Sequence, residues 1–62
     1  MITPMIGDLV MNDIGMLGMI EDIRKPYYFV GWFEEKKERF YFLSDVYEMT
    51  NRYKKYRMEN GL

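Results

Sequence analysis

The chain has 62 residues and a net charge of −1, with nine Lys and Arg against ten Asp and Glu and neither cysteine nor histidine. That length holds one small core and excludes a second. The composition excludes disulfide staples and thiolate metal sites, and it removes the commonest general base and metal ligand. One Trp, six Tyr and four Phe supply the bulk for a compact core. Aromatic and β-branched residues dominate the middle of the chain, which favours a small all-β fold.

In chain order, Pro4 makes residues 1–4 an extended lead-in. Residues 7–11 form a first short strand opened by Gly7, with Leu9 and Met11 on one face and Val10 on the other. Asn12-Asp13-Ile14-Gly15 carries turn chemistry. Residues 16–23 form a second strand, in which Leu17, Met19, Glu21 and Ile23 alternate with Met16, Gly18, Ile20 and Asp22. Gly18 inside it predicts a bend, a bulge or a close backbone approach.

After the Arg24-Lys25-Pro26 turn, residues 27–33 form the strongest strand, apolar on both faces. Tyr28, Val30 and Trp32 point one way; Tyr27, Phe29 and Phe33 point the other. The Glu34–Lys37 run reads as a solvated hairpin loop, followed by a fourth strand at 38–42. The Leu43/Val46 spacing suits a single 3₁₀ turn, and Tyr47-Glu48-Met49 reads as a short fifth strand. From Thr50 onward the character changes, with Met49, Tyr53 and Tyr56 at helical spacing among basic residues. This divides the chain into a body at 1–49 and a basic aromatic extension at 50–62, helical or disordered.

Four segments resemble the SH3-like small barrels encoded by tailed bacteriophages, including those of cyanobacteria. They are Gly7-Asp8-Leu9-Val10, Gly15-Met16-Leu17-Gly18-Met19-Ile20, Phe29-Val30-Gly31-Trp32 and Phe40-Tyr41-Phe42-Leu43-Ser44-Asp45-Val46. The match covers residues 7–49. The resemblance implies closure into a five-stranded barrel and a viral origin, and it implies function only loosely, because such barrels serve many roles.

Catalysis finds little support. The carboxylates have no room for a pocket that would drive their pKa values apart, and Ser44, the only serine, lacks a histidine to activate it. Asp13, Glu21 and Asp22 lack the spacing of a calcium loop. Gly15-x-x-Gly18 lacks the Lys-Ser/Thr of a phosphate loop. No enzyme activity and no cofactor are expected. The absence of an 18-residue apolar run argues against a membrane-spanning helix, and residues 1–9 do not read as a signal peptide. With the viral resemblance, these readings place the protein in the cytoplasm of an infected bacterium.

The expected core is Leu9, Leu17, Met19, Tyr28, Val30, Trp32, Leu43 and Val46. The rings left over, Tyr27, Phe29, Phe33, Phe40 and Phe42, with Arg39 as a charge anchor, are candidates for a contact surface on a host or viral protein. A one-residue slip would exchange the two faces. Outward rings on a marginal core are also compatible with a homodimer.

The alternative is a nucleic-acid-binding surface built from Arg52, Tyr53, Lys54, Lys55, Tyr56 and Arg57, combining phosphate neutralisation with base stacking. It is the weaker reading, because residues 1–49 carry nine acidic and five basic side chains and would repel a polyanion. A structural component of the virion is a third reading.

Overall fold

The structure is a computed structural model that describes residues 3–61. Four strands, β1 (Leu9–Met11), β2 (Leu17–Arg24), β3 (Tyr27–Trp32) and β4 (Lys37–Phe42), precede one helix, α1 (Leu43–Glu59). The strands form a single antiparallel sheet in the order β1-β2-β3-β4, each hydrogen-bonded to its sequence neighbour. The two end strands do not pair with each other, so the sheet is open rather than closed into a barrel.

The turns follow local chemistry. The Asn12 side chain accepts hydrogen bonds from the backbone N–H groups of Ile14 (3.1 Å) and Met16 (2.8 Å), and Gly15 takes the left-handed conformation at φ 88°. Lys25-Pro26 joins β2 to β3 through a cis peptide bond. The β3–β4 loop closes with the Lys36 N–H donating to the Trp32 carbonyl at 3.0 Å, with Lys36 itself at φ 53°.

One face of the sheet makes the core. Val10, Gly18 and Trp32 share one cross-strand row, Ile20 and Val30 the next, and Tyr28 and Tyr41 a third. On the helix, Val46 and Met49 complete the cluster. The helix leaves β4 without a loop, crosses this face and packs chiefly on β1. Buried Thr50 is satisfied within the helix, its hydroxyl donating toward the carbonyls of Val46 and Tyr47, both at 3.0 Å. The Trp32 indole N–H donates to the Tyr41 hydroxyl at 2.9 Å, so the largest core side chain keeps its polar atom paired.

Several expectations are corrected here. The all-β, five-stranded barrel becomes a mostly β fold of four strands and a helix. The segments read as a 3₁₀ turn and a fifth strand, 43–46 and 47–49, are the first two turns of α1, which continues unbroken past residue 50. Val46, Met49, Thr50 and Tyr53 lie three, one and three residues apart, a helical stripe hidden by the turn-forming Ser44 and Asp45. Asp45 instead sits in the first turn, where its charge suits the helix dipole.

The core also differs from expectation. Val10 and Ile20 are fully buried, whereas Leu9, Leu17 and Met19 lie on the opposite face and are half-buried, and Leu43 is exposed. The second strand does not alternate evenly, because Glu21 is an unpaired bulge residue between Ile20 and Asp22. Past it the faces exchange, which carries Ile23 round to pack against the core.

Gly18 is the tightest core position. A Cβ there would lie 2.8 Å from the Trp32 ring and 2.9 Å from a Val30 methyl. Gly18→Ala is therefore expected to destabilise the fold by about 1–3 kcal/mol, read from urea unfolding followed by Trp32 fluorescence.

Candidate aromatic face

The helix covers one side of this sheet; on the other, Met11 is buried and Leu9, Leu17 and Met19 are half-buried near β1, while the β3–β4 part is open. Alternation places Tyr27 and Phe29 of β3 there, opposite Phe42 and Phe40 of β4. The Tyr27 ring meets Phe40 edge to face at 5.3 Å between centroids and lies tilted against Phe42 at 5.5 Å; Phe29 lies 6.4 Å from Phe40. The rings support each other laterally and remain open above: Phe40 is 59% exposed, Phe42 50% and Tyr27 41%.

Four of the expected contact residues therefore form one cluster. Phe33, exposed just after β3, makes none of these ring contacts but lines the neighbouring hollow with Glu21, Gly31 and Glu38. Arg39 lies opposite Val30, hence on the helix side of the sheet, and pairs with Glu35 at 3.4 Å. It cannot anchor a partner docked on the aromatic side.

Two functional candidates emerge that the sequence pattern does not announce. Glu21 follows Leu17 and Met19 onto the aromatic side by ordinary alternation, and the bulge leaves it unpaired there with its carboxylate over Gly31. Gly31 has no Cβ to block it; any side chain there would occupy the space of the Glu21 carboxylate. Glu38 is directly opposite Gly31 on β4, so the two carboxyl groups share one site beside Phe29 and Phe40. The signal available in the sequence was Gly31 itself, a glycine inside a strong strand, which marks a close approach.

The Glu38 carboxyl is pushed above its ordinary value of 4.5. The main cause is its hydrogen bond with Glu21, followed by partial desolvation and repulsion from Glu21 and Asp22, against a smaller opposing pull from Arg24. Arg24 is held elsewhere: its Nε donates to Asp22 at 2.9 Å, and its guanidinium lies 5.7 Å from the centre of the Phe29 ring. Lys36 and Lys37 line an open hollow of about 420 Å³ with Glu21 and Glu38. Among the described residues, the ion pairs are Arg24–Asp22 and Arg39–Glu35, so Glu21 and Glu38 have no basic partner within 4 Å.

The basic residues of the C-terminal segment do not form one surface. Arg52 reaches back to donate to the Met11 carbonyl at 3.0 Å, tying α1 to β1, and Tyr53 is half-buried. Lys54, Lys55, Tyr56 and Arg57 are exposed on the last turns of α1. Among the described residues no cluster of three or more acidic, histidine or cysteine side chains could hold a metal ion, and no helix is long and apolar enough to cross a membrane.

No protein family, no curated protein and no solved structure matches this chain.

The carboxyl pair has a pH signature. A raised folded-state pKa means that the folded chain binds the Glu38 proton more tightly than the unfolded chain. Stability is thus expected to fall as pH rises from the ordinary value of 4.5 through the raised one, and then to level off. Glu38→Gln removes that titration. Its melting temperature is expected to exceed the wild type's near pH 7 and to converge with it near about pH 4.

Proposed function

We propose that this protein is a non-enzymatic interaction module that docks the aromatic face of its sheet onto another protein. The observation that carries the reading is the contiguous cluster of Tyr27, Phe29, Phe40 and Phe42, three of its rings 41–59% exposed, on a side of the sheet that the helix does not reach. Contiguous exposed rings are expensive to leave in water, and Tyr, Phe and Met are enriched at interface centres. Leu17 and Met19, both half-buried, continue the same side toward β1.

The segments that resemble phage-encoded small barrels point to a host or viral protein as the partner, met inside an infected bacterium. The face itself asks for a partner surface that is largely apolar, with little salt dependence in its aromatic contacts. Nucleic-acid binding through α1 is less well supported, because Arg52 is engaged with β1 and Tyr53 is half-buried.

The test compares the wild type with a Phe29→Ser/Phe40→Ser variant as bait in nuclease-treated bacterial lysate. Both changes lie on the outer side, so the variant is expected to keep its circular dichroism and Trp32 fluorescence and to lose no more than about 3 kcal/mol of stability. A discrete protein retained by the wild type and lost with the folded variant is the expected outcome. Equal capture by both baits, or capture that disappears with nuclease, would overturn the reading.

A further inference from the structure

The central feature of the open face is a conflict. Glu21 and Glu38 stand together without a basic partner, next to rings that would be covered when a partner docks. Covering two carboxylates with an apolar surface is costly unless the incoming surface brings positive charge and hydrogen-bond donors. The chain could avoid the conflict with a neutral residue at either position, yet the strand register and a side-chain-free Gly31 bring the two acids together. Their mutual repulsion works against folding, the pattern of a site kept for binding rather than for stability.

We propose that the aromatic face takes a cationic anchor: an arginine or lysine side chain, on an otherwise apolar segment of a partner protein, whose charged head pairs with Glu21 and Glu38 while its aliphatic stem lies along Phe29 and Phe40. This deepens the docking reading above and rests on it.

Three observations converge on that occupant. The first is charge: Asp22 is paired with Arg24 at 2.9 Å, whereas Glu21 and Glu38 have no ion-pair partner within 4 Å, Lys36 and Lys37 lining the same hollow without reaching them. The second is reach. Glu38 and Phe40 are two residues apart on one strand face, roughly 7 Å, a span that an extended arginine or lysine side chain covers. The third is an example within the molecule: Arg24 holds a carboxylate and an aromatic ring at once, Asp22 and Phe29, so this surface already accommodates a guanidinium in that manner.

The same charges argue against a second copy of the chain as the occupant. Packing two such faces together about a two-fold axis buries four like-charged carboxyl groups between apolar surfaces.

The test uses two synthetic peptides, acetyl-Leu-Val-Arg-Val-Leu-amide and the same peptide with citrulline, an uncharged isostere, in place of arginine. Each is titrated into ¹⁵N-labelled protein while the backbone amide signals of Gly31, Glu38 and Phe40 are followed. The arginine peptide is expected to shift these signals and to bind about tenfold more tightly than the citrulline peptide, with the gap narrowing as salt is raised. The Glu21→Gln/Glu38→Gln variant is expected to bind both peptides alike.

Equal affinity of the two peptides for the wild type, with both lost in Phe29→Ser/Phe40→Ser, would overturn the cationic anchor and leave the docking face standing. Failure of both peptides to shift any signal of the face at about millimolar concentration would count against the anchor and the docking face together. Concentration-dependent shifts of the same signals in the protein alone would replace the anchor with a second copy of the chain.

Discussion

A four-stranded sheet has two faces, and this chain has one helix to cover them. That mismatch governs the rest of the structure. The helix takes the side where Val10, Ile20, Val30 and Trp32 present a continuous apolar surface, and it supplies Val46 and Met49 to close it. What the helix cannot reach must either be polar or be covered by something else. Here it is covered only in part: Met11 is buried and Leu9, Leu17 and Met19 are half-buried toward β1, while the rings at the other end stay open beside Glu21 and Glu38. A small protein can tolerate such a face because rings packed side by side shield one another's edges. The Tyr27–Phe40 and Tyr27–Phe42 contacts do this without hiding the outer surfaces.

The second constraint follows from the first. With the helix on one side, β2 must serve two environments along eight residues, and an even alternation would leave Ile23 on the outer side. The bulge at Glu21 resolves this by exchanging faces, so that Ile23 joins the core and Asp22 comes opposite Phe29. Glu21, already on the outer side with Met19, is left unpaired at the bulge with its carboxylate over Gly31, so the open face carries charge beside its rings.

Much of the face was legible in the sequence. Residues 27–33 carry apolar side chains at both parities, and a thin fold cannot bury both sides of such a strand. The neighbouring Phe40 and Phe42 then fall beside Tyr27 and Phe29 by simple antiparallel pairing. Less legible was which residues of the first two strands faced inward, because a three-residue strand such as β1 carries no periodic signal of its own. Its direction is set by packing against α1, and Arg52 fixes it by binding the Met11 carbonyl. The helix was hidden for a local reason. Ser44 and Asp45 favour turns and helix starts alike, and only the Val46, Met49, Thr50, Tyr53 stripe separates the two. Once that stripe is read as one helix, the fifth strand and the barrel closure it would have allowed both disappear. Alternation puts Glu21 on the outer side with Met19, but its meeting with Glu38 depends on the strand register across Gly31, which alternation alone does not fix.

α1 seals one side of the sheet, and the β3–β4 part of the other side is open to water. The most direct measurement is the relaxation of aromatic ring protons by a soluble, uncharged gadolinium chelate in dilute protein. Strong enhancement is expected at Phe40, Phe42 and Tyr27, and near-complete protection at Tyr28 and Trp32. Protection of Phe40 and Phe42 equal to that of Trp32 would contradict it, since it would mean that the face described here as open is already covered.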